Sequence, residues 1–134
     1  MKISNFLAFI IILFITACTN SSGNFDIENL KAFGETPFDA SEWHAANPET
    51  RGAMLYDLLS NYSFIGKKRK DVNDLLGNQT GYYEYDENPA YLVGKSTASN
   101  SNKKSENYLF VFITDHSTGM IQDYLLIPQS RGKL

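Results

Sequence analysis

Residues 107–114, NYLFVFIT, constrain the fold more than any other stretch of this chain. Side chains of a β-strand point alternately to its two faces. Leu109, Val111 and Ile113 therefore share one face, and Tyr108, Phe110 and Phe112 share the other. Both sets are apolar. An antiparallel sheet covered on one side only alternates apolar with polar residues. The second face thus needs a cover of its own, from the segment 25–33 or a turn at 38–46, or it is open to another molecule.

Further strands flank this one. Asp115-His116-Ser117-Thr118-Gly119 has turn composition, and a strand is expected at 120–127 until Pro128 ends it. Upstream, Tyr82-Tyr83-Glu84-Tyr85 reads as a first strand from its aromatic content. Residues 90–93 continue it or form another after Asp86-Glu87-Asn88-Pro89. Residues 96–106 hold no apolar side chain except Ala98, which predicts a mobile loop.

Before residue 80 the period is helical. Asn47-Pro48-Glu49 is a strong helix start, with a capping Asn, Pro at the first position and an acid in the first turn. The expected helix runs over 48–61, and Leu55, Leu58, Leu59 and Tyr62 recur on one face. Met54 widens that face. Gly52 weakens a helix by about 1 kcal/mol relative to Ala, which points to close packing there. Phe38, Trp43 and Ala46 predict a short turn sealing one end of the core. A second helix is expected at 69–76, with Val72, Leu75 and Leu76 apolar and Gly77 closing it. The expected class is α+β, two helices packed on a three-stranded antiparallel sheet in the order ααβββ. The domain is placed at 37–128, with a tail at 129–134.

The chain holds one cysteine, Cys18, so no internal disulfide can form. It follows the apolar run 6–15, FLAFIIILFI, and precedes Thr-Asn-Ser-Ser-Gly-Asn. A basic start, a short apolar run and small residues before a cleavage point are the parts of an export signal. The run is short for a bilayer core, which needs ~20 apolar residues. Ile15-Thr16-Ala17-Cys18 resembles the bacterial lipobox. That resemblance implies cleavage after residue 17, lipid on the Cys18 thiol and a membrane anchor. Thr19 stands where Asp would mark retention at the inner membrane, which points to the outer membrane, periplasmic side. Residues 18–36 would be the lipidated terminus and tether, with a short helical stretch at 25–33.

Phe38-Asp39, Trp43, Arg51, Met54, Asp57-Leu58-Leu59, Gly66, Val72, Leu75-Leu76-Gly77 and the tyrosines that follow resemble the small outer-membrane lipoproteins of the BamE (SmpA/OmlA) type, over about residues 38–127. The second helix lacks the Ser or Thr cap usual there and carries Lys68 or Arg69 instead. Asn78-Gln79 stands where a Pro often follows. The resemblance implies a non-enzymatic accessory role through contacts with other envelope proteins, including support of outer-membrane protein assembly. A second expectation is a periplasmic binding or inhibitor module, because β-lactamase inhibitor proteins have a related fold.

Candidate sites follow from this. Net charge is −3 and the basic residues form no broad face, so no nucleic-acid partner is expected. Lys67, Lys68, Arg69 and Lys70 are the one basic cluster, a solvated edge or a contact for anionic lipid headgroups. Tyr82, Tyr83, Tyr85, Tyr108, Phe110 and Phe112 are the candidate partner face, since aromatic anchors dominate interfaces. His44 and His116 have no second ligand at metal spacing, so neither metal nor cofactor is expected. No nucleophile elbow, phosphate loop or dinucleotide glycine pattern occurs in the sequence, and no catalytic residue is assigned. Arg51 is expected to flank the buried stripe, and Asp57 to accept backbone hydrogen bonds from the loop after its helix.

Overall fold

The computed structural model describes residues 25–97 and 104–129. Cys18, the signal segment 1–17, residues 19–24, the centre of the 96–106 loop and residues 130–134 lie outside the described residues. The element order is a 3-10 helix (Ile27–Phe33), α1 (Ala40–Ala45), α2 (Pro48–Asn61), α3 (Arg69–Leu76), β1 (Ala90–Thr97), β2 (Lys104–Thr114) and β3 (Ile121–Pro128). The strands form an antiparallel sheet in sequential order with β2 central. The α+β class holds. Among the described residues the helical layer holds one α-helix more than the two expected, α1, and the short helical stretch expected at 25–33 is the 3-10 helix.

Each helix begins where a side chain takes up the orphan backbone N–H groups of the first turn. Asn47 Oδ1 accepts from Thr50 N at 2.8 Å to start α2. Asp39 Oδ1 does the same for Glu42 N at 2.8 Å, so the stretch 38–46, expected as a turn, contains the short helix α1. Asp26 caps the 3-10 helix through Glu28 N. At α3 the cap is inverted: the Asp71 carboxylate reaches back to Lys68 N at 3.0 Å.

The main core lies between the helices and one face of the sheet. Met54, Leu55, Leu58 and Leu59 of α2, Trp43 of α1 and Val72 and Leu76 of α3 meet Tyr91, Val93, Phe110, Phe112 and Ile121. Leu30 of the 3-10 helix is fully buried in the same cluster. Phe25 packs edge-on against both Phe110 and Tyr124, and Phe33 against Tyr108. Residues 25–36, assigned to a tether, are therefore part of the packed unit. Each such aromatic pair adds about 1 kcal/mol beyond its buried area. Trp43 Nε1 is buried with no acceptor among the described residues.

Gly52 sets how closely α2 approaches the sheet. A Cβ at Gly52 would lie 2.0 Å from the carbonyl oxygen of Gly94 in β1, and one at Gly94 would lie 3.0 Å from Glu49 N. Two glycines thus let backbone meet backbone.

Neither expected cover shields the second sheet face. The segment 25–33 and α1 lie on the helical side. Ala90, Leu109 and Val111 are buried on the other side, with Tyr83, Leu92, Ile113, Leu125 and Ile127 packed around them. The cover includes the stretch after α3: a Cβ at Gly81 would fall 2.3 Å from Leu109 Cδ1. That stretch contains Tyr82-Tyr83-Glu84-Tyr85, which is not a strand. Glu84 has φ 54°, and Tyr85 N donates to Tyr83 O two residues back, forming a tight γ-type turn. Tertiary packing overrides the strand propensity of the tyrosines. The first strand is Ala90–Thr97 instead. The hairpin it makes with β2 also runs further than expected, through Lys95↔Glu106 to Thr97↔Lys104, because backbone pairing continues past the last apolar residue.

The first part of the outer edge of β1 is occupied. Thr80 N and Gly81 N both donate to Ala90 O, and Leu92 N donates to Thr80 Oγ1 at 2.8 Å. Beyond them Gly94 O faces Gly52.

Candidate interaction surface

The structure divides the six candidate aromatics. Phe110 and Phe112 are fully buried in the main core and cannot form a partner face. Tyr108 lies half-buried beneath Phe33, with its hydroxyl on Glu106 at 3.0 Å. Tyr83 is half-buried on the second face, and the Glu84 carboxylate beside its hydroxyl pushes that phenol's pKa up. Tyr82 and Tyr85 are exposed by 60% and 50%. Alternation in a strand gave two faces; the loop that replaces the strand presents only this pair.

The loop is held rigidly from below. Thr114 and Asn88 are buried polar residues, each 3% exposed. Thr114 N donates to Asn88 Oδ1 at 2.9 Å, and Thr114 Oγ1 donates to Glu87 O at 2.6 Å. Phe112 N donates to Pro89 O. These bonds fasten residues 87–89 to β2 and leave Glu84, Asp86 and Glu87 exposed around the two tyrosines. Tyr82 Oη donates to Glu84 O at 2.6 Å, which fixes the crown. The Tyr85 ring meets the His116 ring edge-on at 4.5 Å, so the loop touches the β2–β3 turn.

That turn is shaped by Asp115. Its Oδ1 accepts from Ser117 N at 2.7 Å, Ser117 Oγ at 2.6 Å and Thr118 N. These bonds hold the Asp115 carboxyl below the usual carboxylate range. Gly119, at φ 71°, completes the reversal. Met120 follows, 40% exposed.

The basic cluster touches the same turn from the other side. Gly66 N donates to Ile121 O and Ile121 N donates to Lys67 O, both at 2.8 Å, and Lys68 bridges Met120. Lys67, Lys68 and Lys70 are exposed and Arg69 is half-buried. Lys70 pairs with Asp74 one helical turn on. An exposed pair of this kind contributes little to stability.

The remaining candidates serve the scaffold. His44 Nε2 lies 3.1 Å from Leu75 O and so ties α1 to the end of α3. Arg51 Nε donates to Trp43 O at 3.0 Å, with its guanidinium over the Trp43 ring. Asp57 Oδ2 accepts from Phe38 N at 2.7 Å, and its Oδ1 accepts from Asn61 Nδ2. The backbone donor therefore comes from the loop before the helix, not the one after it. Among the described residues no group of three His, Cys, Asp or Glu is placed to hold a metal ion. No helix among them is long and apolar enough to cross a membrane.

A cleft of about 260 Å³ opens between the N-terminal segment, the end of α2 and β3. Phe25, Ile27, Leu59 and Tyr124 form its apolar walls, and Asp123 and Ser60 are among its polar residues. Tyr124 Oη accepts from Phe64 N at its base. Sequence reading missed this cleft, the exposed Met120, and the meeting of the acidic and basic loops at one turn. The one sequence signal for Met120 was its position directly after the turn glycine Gly119, ahead of the apolar run of β3.

No family model, no curated protein and no solved structure matches this chain.

Proposed function

We propose that this chain is a lipid-anchored envelope protein that works through contacts with other proteins. The observation that carries the reading is the placement of Cys18 after a basic start, a ten-residue apolar run and two small residues. The folded unit supports it by starting close to that point, with Phe25 already seated between Phe110 and Tyr124. Residues 18–24 span at most about 25 Å when fully extended. A lipid on Cys18 therefore keeps the domain within a short distance of the bilayer. Diacylglycerol plus a further acyl chain gives stable anchoring where one chain would not. The proposed location is the outer membrane, facing the periplasm, and the proposed work is accessory to outer-membrane protein assembly or envelope integrity. The rigid crown of Tyr82 and Tyr85 suits protein contact, since tyrosine offers large contact area at low entropic cost.

Metabolic labelling with a fatty-acid probe tests the anchor. The wild-type chain is expected to incorporate label and to fractionate with membranes, and Cys18→Ser to lose both. Undiminished labelling of Cys18→Ser refutes the reading. Crosslinking in intact envelopes tests the role: recovery of barrel-assembly components supports it, and recovery of a soluble hydrolase alone counts against it.

A further inference from the structure

Tyr85 and Met120, two of the four large apolar side chains exposed among the described residues, flank the β2–β3 turn at one end of the sheet, Tyr85 through its contact with His116 and Met120 as the residue after Gly119. Tyr82, also exposed, belongs to the same loop as Tyr85. On the β1 side of that turn stands the acidic loop with Glu84, Asp86 and Glu87, joined to it by the Tyr85–His116 contact. On the β3 side stands the basic loop with Lys67 and Lys68, joined to it by the bonds to Met120 and Ile121. No ion pair among the described residues joins the two loops, so neither neutralises the other within one molecule.

We propose that this end of the protein pairs with a second copy of the chain across a two-fold axis through the β2–β3 turn. In such an interface the same patch serves both partners, and residue i meets j while j meets i. The acidic loop of one copy then faces the basic loop of the other, twice, with Met120 and Tyr85 covered between them. An anionic membrane surface satisfies only Lys67 and Lys68 and repels three carboxylates at the same end. A uniformly basic partner matches only the other half. A second copy answers both halves at once. The charged rim sets orientation, and the apolar centre supplies the burial. This goes beyond the proposed function and does not depend on lipid at Cys18, although confinement to a membrane would raise the local concentration of copies.

The test is sedimentation of the full chain purified in mild detergent, over a range of protein concentrations. A dimer is expected, and raising salt from about 50 mM to 500 mM should weaken it about tenfold, because the rim charges become screened. Two variants reverse one loop each: Lys67→Glu with Lys68→Glu, and Asp86→Lys with Glu87→Lys. Each alone should be monomeric, since each brings like charges together. Their equimolar mixture should form a dimer again, because one copy then offers two acidic loops and the other two basic loops. That recovery also shows that both variants are folded. The proposal is overturned if the wild type stays monomeric, if either variant dimerises as tightly as the wild type, or if the mixture remains monomeric. A monomer that binds anionic vesicles in a salt-sensitive way would assign Lys67 and Lys68 to lipid instead.

Discussion

Gly52→Ala is expected to destabilise this protein, although the same change in an ordinary helix stabilises it. Helix propensity alone gives Ala an advantage of about 1 kcal/mol. The geometry opposes this. The new Cβ would fall 2.0 Å from Gly94 O, an atom fixed in β1. Relief requires α2 and β1 to separate by about 1 Å, and a gap of that size forfeits roughly a quarter to a half of each dispersion contact across it. Met54, Leu55, Leu58 and Leu59 are buried on that helix. At roughly 2 kcal/mol for each buried side chain, the layer loses about 2–4 kcal/mol. The net loss is then about 2 kcal/mol, within the range typical of overpacked cores. Urea unfolding followed by Trp43 fluorescence measures it, because Trp43 is the sole tryptophan and is 1% exposed. A midpoint fall of about 1–2 M is expected for a small domain. Thr50→Ala, at an exposed position of α2, provides the control and should raise the midpoint slightly. A midpoint for Gly52→Ala equal to or above the wild type would refute the close-approach account.

Two further outcomes rest on single polar contacts. Asp57→Ala removes the acceptor of Phe38 N and a partner of Asn61, and should cost about 2 kcal/mol in the same urea assay. Tyr91→Phe should change the alkaline limb of the stability curve. Burial pushes the Tyr91 phenol up to about 12, above its ordinary value of 10. The folded state therefore holds this proton after the unfolded chain has released it. Stability is fully present below pH 10 and falls between pH 10 and pH 12. Tyr91→Phe should flatten that fall in a pH series, while losing the bond from Tyr91 Oη to Gly77 O at all lower pH values.

Local signals were legible where one side chain decides one bond. Asn47-Pro48 marked the start of α2 to the residue, and Gly77 marked the end of α3. The α1 helix was missed because its six residues carry one buried side chain, Trp43, too few to show a period. The tyrosines at 82–85 misled because strand propensity measures fit to a half-buried surface, and their surface is a sheet they cross rather than join. The double apolar pattern of β2 showed that its second face is either covered or open to another molecule, but could not say which, nor which segment lies where. That depends on Gly81 meeting Leu109 and on Phe25 reaching Phe110, contacts between residues far apart in sequence. Likewise no spacing rule brings residues 67–68 and 84–87 to one turn; the paths of two loops around the sheet do.

The occupied part of the β1 rim has a consequence for how foreign polypeptide can attach. An unguarded outer strand templates further strands, which leads to fibrils or to peptide capture by sheet extension. Here Thr80 and Gly81 occupy Ala90 O and Leu92 N, and the first turn of α2 stands over Gly94. An incoming strand therefore finds no bare ladder from Ala90 to Leu92, and it meets the first turn of α2 at Gly94. Growth of the sheet is directed to the far margin, past the point where Gly66 and Lys67 already bind Ile121.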